Sequence, residues 1–172
     1  MLDSPTMQHR FPRAPQGKLR SALGLVLILL VGACAPPGDN PEVDRGEIEL
    51  MLRDYLPKLG SAYADRDPAI LEDQAVPKEI ARIRLRIEEL SEQGRVYEPE
   101  FKEVTVEDIS VWNYSNAFVT SLEVWDVRSF TVGAHVLVQE SLGQRSRVKY
   151  QLKRKDGSWV ILYRELAETL EP

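Results

Sequence analysis

Apolar residues along this chain change their spacing as it proceeds, and each spacing marks a different kind of structure. Between Ile48 and Tyr63 they recur every three or four positions (Ile48, Met51, Leu52, Tyr55, Leu59, Ala62, Tyr63), which lines one stripe of an α-helix. Asn40 suits the N-cap, Pro41 the first helical position, and Glu42 and Asp44 the first turn, where the helix dipole favours acids. Pro57 lacks a backbone donor, so it is expected to kink this helix or divide it near Leu56. Asp65-Arg66-Asp67-Pro68 ends the segment, with one further turn expected over 69–73. A second helix is predicted from Pro77, with Ile80, Ile83, Ile87 and Leu90 on one face and Gly94 as its stop. Arg82, Arg84 and Arg86 do not share a side, and they read as a solvated helix face paired with Glu79, Glu88 and Glu89.

From Val96 onward the texture shifts to β-branched and aromatic residues in alternation, the mark of antiparallel strands. Val104 and Val106 begin one strand, but Ile109 and Val111 have the opposite parity, so a bulge is expected near Asp108. Asn113-Tyr114-Ser115-Asn116 supplies a turn into a strand over 117–128 that pairs back on the first. Asp156-Gly157 predicts a two-residue type I′ hairpin between strands over 145–155 and 158–166. Counting outward from that turn sets Arg154 opposite Trp159, Leu152 opposite Ile161 and Tyr150 opposite Tyr163, all on the core face. On the reverse side Lys153 meets Val160, Gln151 meets Leu162 and Lys149 meets Arg164, while Arg145 and Arg147 extend a basic row. Val160 and Leu162 are apolar for a solvent face and mark either a covered surface or a homodimer contact. Helices followed by antiparallel strands make an α+β plan with the helices on one face of the sheet.

The N-terminal stretch is of another kind. His9, Arg10, Arg13, Lys18 and Arg20 precede an apolar or small run from Ala22 to Ala35, which is 14 residues long and stops at Pro36-Pro37. A bilayer-crossing helix needs about 20. The order is that of an export signal, and Val31-Gly32-Ala33-Cys34 resembles the lipobox of bacterial lipoproteins. The expected organisation is a signal peptide over 1–33, a lipidated Cys34 with a Pro- and Gly-containing tether to residue 41, and a domain over 42–172. An ordinary secretory signal or a short uncleaved anchor is the alternative. Ala35 rather than aspartate would follow the lipidated cysteine, which by resemblance to Gram-negative sorting favours the outer membrane, facing the periplasm. Cys34 is the only cysteine, so no intramolecular disulfide is possible. Four of the 22 Lys and Arg and one of the 27 Asp and Glu precede it, leaving 18 bases against 26 acids and a net charge of −8. Such a domain gives no electrostatic reason to expect nucleic acid.

Two stretches carry a further resemblance: the helix end with Ala62-Tyr63 and Asp65-Arg66-Asp67, and the closing run Val148-Lys149-Tyr150-Gln151-Leu152 followed by Asp156-Gly157-Ser158-Trp159-Val160-Ile161. Here the chain resembles the cone-shaped α+β fold of the nuclear transport factor 2-like superfamily. Within it the chain is similar to the membrane-anchored domains of plastid division proteins and their cyanobacterial relatives. The resemblance implies a curved sheet around a pocket, lined by Tyr63, Trp125, Tyr150, Trp159 and Tyr163 or a subset of them, unless these aromatics simply fill a core. Enzymes of the superfamily use an acid and a base inside the cone. In the domain only His135 is available as a histidine base, with Tyr150 or a carboxylate beside it; Asp108, Glu123 and Asp126 lie near or on strands, but Glu123 and Asp126 differ in parity. Metal-ligand spacings, phosphate loops and nucleophile elbows are missing, so no cofactor or metal is expected. The leading expectation is a lipid-anchored, non-catalytic envelope domain that binds a partner protein or a small apolar ligand. A small hydrolase or isomerase using His135, and a structural homodimer, are the alternatives.

Overall fold

In the computed structural model, which describes residues 41–170, a long helix is followed by a short one and a four-stranded antiparallel sheet. The lipobox, Cys34, the tether and Asn40 lie outside the described residues. Helix α1 spans Pro41–Ala64, a 3-10 turn Pro68–Leu71 follows, and helix α2 spans Pro77–Glu92. Strands β1 (Arg95–Trp112), β2 (Asn116–Thr131), β3 (Leu137–Lys155) and β4 (Ser158–Leu170) lie side by side in that order.

Pro57 neither divides nor ends α1, contrary to expectation. It sits on the exposed side of the helix one turn after exposed Arg53, so the carbonyl that loses its donor faces water. The opposite stripe (Ile48, Leu52, Tyr55, Leu59, Ala62) is buried. Asp67 caps the 3-10 turn by accepting from the Ala69 N–H, and Gly94, at φ +72°, stops α2 as expected of a glycine there. Ile80, Ile83, Ile87 and Leu90 all face the core, but so does Glu79, at 1% exposure, so the solvated-face reading fails at that acid.

β1 begins at Arg95, earlier than its first valine pair suggests, and carries two register shifts, between Phe101 and Glu103 and between Val106 and Asp108. The second is the expected bulge. The Asp156-Gly157 hairpin also forms as expected, with both residues at positive φ and Arg154 opposite Trp159. Past Ile161 the count fails, because an extra residue at Leu162 shifts the register: Gln151 pairs with Tyr163 and Tyr150 with Arg164. Tyr163 is thereby rotated to the outer face and Arg164 to the inner one. Val160 is buried within the chain. Residues 74–76 run parallel beside β4, where Ile161 donates to the Gln74 carbonyl (2.8 Å) and accepts from the Val76 N–H (2.9 Å), and this covers part of the sheet edge.

The helices cover only part of the inner face. At about 1.5 Å per helical and 3.3 Å per strand residue, the 24 residues of α1 reach roughly 36 Å and the 19 of β3 roughly 60 Å. Asp44 of α1 meets Arg154 at the β3–β4 turn, and Gly60 meets Pro99, so the helix ends well short of the β2–β3 turn. The outer face carries ion pairs across the strands, such as Lys102–Asp126, Arg128–Glu140 and Arg147–Glu107. The unit Asp39–Pro172 is compact, and the buried core cluster falls within it.

Helix α1 packs tightly on β1 at Gly60, where an added Cβ would lie 2.5 Å from the Pro99 carbonyl oxygen, a backbone atom. Gly60→Ala gains up to about 1 kcal/mol of helix propensity, yet overpacking of this kind costs about 1–3 kcal/mol. A net loss is expected, read as a lowered midpoint of thermal unfolding in fragment 39–172. An unchanged or raised midpoint would show that α1 does not seat this tightly on β1.

Candidate functional site

Strand alternation along β2 turns Ala117, Val119, Ser121, Glu123 and Trp125 to the inner face, and all five are buried. Glu123, with no exposed surface, is therefore set in the core and requires donors. Its Oε1 accepts from the Tyr150 hydroxyl and from Ser121 Oγ (3.4 Å), and its Oε2 accepts from Trp125 Nε1 (2.8 Å) and Arg164 Nη2 (2.6 Å). Arg164 Nε also donates to the Tyr150 oxygen (3.2 Å). Burial, and then the neighbouring Glu123, push the Tyr150 hydroxyl well above the ordinary phenol range, so it stays protonated and donates. Burial opposes the charge on Arg164, but Tyr150 and Glu123 outweigh it and hold the guanidinium protonated. The result is a charge-paired carboxylate with its lone pairs engaged.

A second buried carboxylate stands on α2. Glu79 Oε1 accepts from Arg82 Nη2 (2.7 Å), and Arg82 also donates to the Arg164 carbonyl. Burial raises the Glu79 pKa, with the Arg82 hydrogen bond and charge acting against that rise. Glu79 Oε2 and the Tyr55 hydroxyl are buried without partners.

Beyond the end of α1, a cavity of about 450 Å³ opens between the helices and the inner sheet. Leu59, Leu90, Pro99, Trp125 and Val127 give it an apolar side with Tyr63 and Tyr97, while Gln139, Ser141, Gln144 and Ser146 of β3 give it a neutral polar one. Ser129, whose buried Oγ has no partner, lies directly opposite Gln139. The inward parity of β3 changes between Ser141 and Gln144, at a bulge held by the Gly143 N–H donating to Asp126 Oδ1 (2.7 Å). A side lobe of about 340 Å³ reaches Tyr55, Glu79 and Arg82, and it shares Leu59, Tyr63, Arg86, Arg164 and Leu166 with the main cavity.

The expected aromatic set is thus dispersed. Tyr63 and Trp125 line the cavity; Trp125 is also packed edge-on against Phe101, at 5.3 Å between centroids. Tyr150 lies behind the lining, bonded to Glu123. Trp159 fills the core under Arg154, the guanidinium 4.7 Å from the ring centroid. Tyr163 is on the outer face beneath Arg82, at 4.3 Å. His135, the expected base, sits in the β2–β3 turn with its side chain 59% exposed. It stacks on Phe130 at 4.1 Å, with Nε2 3.4 Å from Glu98 on the outer face, and it does not line the cavity beside Tyr150. Glu123 and Asp126 do face opposite sides, as their parity required. Counting from the hairpin puts Arg164 on the wrong face, and charge pairing alone puts Glu79 in solvent. Extending the parity of Ala117 and Val119 four residues marks Glu123 as buried, whereas no local pattern announces the bulge that brings Arg164 to it. Among the described residues no group of His, Cys, Asp and Glu could hold a metal ion.

With this geometry in place, the comparisons identify a family. The chain belongs to the ARC6-like, IMS domain family, whose model matches residues 60–162. Its fold is similar to the intermembrane space region of chloroplast protein ARC6, with a TM-score of 0.58 at 12% identity over 69% of this chain and 92% of that one. It is also similar to a protein of unknown function from Mycobacterium tuberculosis, with a TM-score of 0.51 at 13% identity over 79% and 77% of the two chains. An ntf2-like protein with a cystatin-like fold from Novosphingobium aromaticivorans matches at a TM-score of 0.40 and 20% identity over 74% and 84%. No curated protein sequence matches the chain. The family match bears out the narrower resemblance to plastid division proteins, and the α+β plan of helices on an antiparallel sheet is the one observed.

Removing one partner of a buried ion pair strands the other and costs about 3–5 kcal/mol, whereas replacing both by apolar residues is often neutral. Arg164→Met, which strands the fully buried carboxylate, should lower the free energy of urea unfolding by about that much, Glu123→Leu, which strands a guanidinium that is 22% exposed, by less, and the double variant should recover most of the loss. Additive losses would mean that the two charges are not coupled.

Glu79 supplies a pH dependence. A raised pKa in the folded state means that folding binds the proton more tightly, so this group's contribution is most favourable below the ordinary glutamate value, about 4.3, and is lost as pH rises through the folded value. The wild type should lose stability relative to Glu79→Gln across that rise and level off once Glu79 is ionised. A flat difference profile in thermal melts would refute this.

Proposed function

We propose that this protein is a lipid-anchored, non-catalytic binding domain of the bacterial cell envelope, tethered through Cys34 and taking a partner-protein segment or a small ligand into the cavity above β2 and β3. The observation that carries the reading is the state of Glu123. A general base needs a free lone pair aimed at substrate, and this carboxylate is engaged by Tyr150, Trp125, Ser121 and Arg164, behind the lining rather than in it. His135 supplies no substitute from the outer face of a turn. What remains is a preformed cleft with an apolar side and a row of neutral hydrogen-bonding groups, the chemistry of recognition. The lipobox-like Val31-Gly32-Ala33-Cys34 and the similarity to a domain of the chloroplast intermembrane space support an envelope location.

The test is made in bacteria that process lipoproteins, with a photo-crosslinking amino acid at Gln139, in the cavity wall, or at Lys149, on the outer face. Labelled palmitate is expected to enter the wild type and not Cys34→Ala, and specific adducts are expected from position 139 only. Palmitate absent from both chains would remove the anchor. Adducts equal at the two positions, or none from 139, would remove the binding role of the cavity.

A further inference from the structure

We propose that the cavity selects organic monoanions, a flat apolar body carrying one anionic group held between Arg86 and Arg164. This deepens the small-ligand reading above and rests on it. The domain after Cys34 has 26 acids against 18 bases, yet none of the described acids lines the main cavity, while Arg86 and Arg164 do. Both arginines also line the side lobe, so they stand where the two spaces meet.

The ion pairs there differ in strength. Arg164 is neutralised by Glu123, which accepts from its Nη2 while its Nε donates to the Tyr150 oxygen, and Glu79 in the side lobe is neutralised by Arg82. Among the described residues Arg86 pairs with Glu89 alone, both half-exposed on the α2 surface, an interaction of little strength that a ligand can displace. Glu89 lines neither space, so displacing it leaves the positive charge of Arg86 to a ligand in the cavity, which fits one negative charge. The guanidinium of Arg164 is already fixed by Glu123 and Tyr150, so little ordering remains to be done when a ligand docks. Trp125 and Val127 offer an apolar wall, and their cross-strand partners Gln144 and Ser141 set uncharged hydrogen-bonding groups beside it.

A matched pair of dyes tests this on fragment 39–172: 1-anilinonaphthalene-8-sulfonate and its neutral analogue N-phenyl-1-naphthylamine share the aromatic body and differ in the sulfonate. The anion is expected to bind at least about tenfold more tightly, the scale of one charge-assisted hydrogen bond. Arg86→Gln, a change on an exposed position, should bring the anion down to the affinity of the neutral dye and leave the neutral dye unmoved. Replacing Val136 and Val138, exposed aliphatics near the β2–β3 turn, by serine should leave both affinities intact. Equal binding of the two dyes, a preference that survives Arg86→Gln, or loss of binding in the turn variant would each overturn the selectivity and leave the cavity reading to the crosslinking result. Failure of both dyes to bind would overturn the small-ligand reading as well.

Discussion

The buried pair Glu123–Arg164 is the constraint around which the sheet is arranged. Strand alternation places a carboxylate in the core at Glu123, and an isolated charge there is too costly to keep. Its compensation comes from β4, two strands away. Regular pairing from the Asp156-Gly157 turn would have pointed Arg164 outward and Tyr163 inward. One extra residue at Leu162 reverses both, so the bulge is the device by which the charge on β2 finds its partner. The exchange also accounts for Tyr163, which leaves the core face and meets Arg82 outside, and for Arg82 itself, whose side chain reaches the carbonyl of Arg164.

A second constraint is one of length. Strands advance more than twice as far per residue as helices, and β3 outruns α1 although α1 has more residues. Where the helices lie over it, the inner face is mostly apolar around Ser121 and Glu123, and it changes character past Trp125. There Ser129, Gln139, Ser141 and Gln144 take inward positions. The cavity therefore follows from the mismatch between element lengths and from polar residues where only the last turns of the helices, with Leu59, Tyr63, Arg86 and Leu90, reach over the sheet. Gly60 sets how closely α1 can approach β1 just before that point.

The parts that were legible in the amino-acid pattern are those whose signal is local and repeated. The apolar stripe of α1, the buried face of α2, the bulge between Val106 and Asp108 and the Asp156-Gly157 hairpin each rest on a few neighbouring residues. Pro57 misleads because the rule against proline assumes that the orphaned carbonyl has nowhere to go, and on an exposed face it has water. The aromatic set misleads because hydrophobic size alone does not separate core from cavity. Trp159 is core, Tyr150 is held by a carboxylate whose type suggests a catalyst, and Tyr63 and Trp125 reach open space only because the helices end. The site lies beyond local pattern because its defining contact joins β2 and β4 through a register change at Leu162, inside an apolar run where no break in alternation marks it as one does between Val106 and Asp108.

The same contact is what favours the proposed reading of recognition over turnover. A carboxylate that is to move protons must exchange its partners during reaction, and that requires a looser, partly solvated setting than Glu123 has. Here Tyr150, Trp125 and Arg164 leave it no vacant direction, and releasing any of them would expose a buried charge. Rigidity of that order is a defect in a base and an advantage in a receptor, since a side chain already fixed by its neighbours loses little entropy when a ligand arrives. Arg164 stands at the boundary between the two roles: one part of its guanidinium holds the core carboxylate, and the residue also lines the open cavity. The contact that compensates the buried carboxylate thus also fixes a guanidinium at the cavity wall.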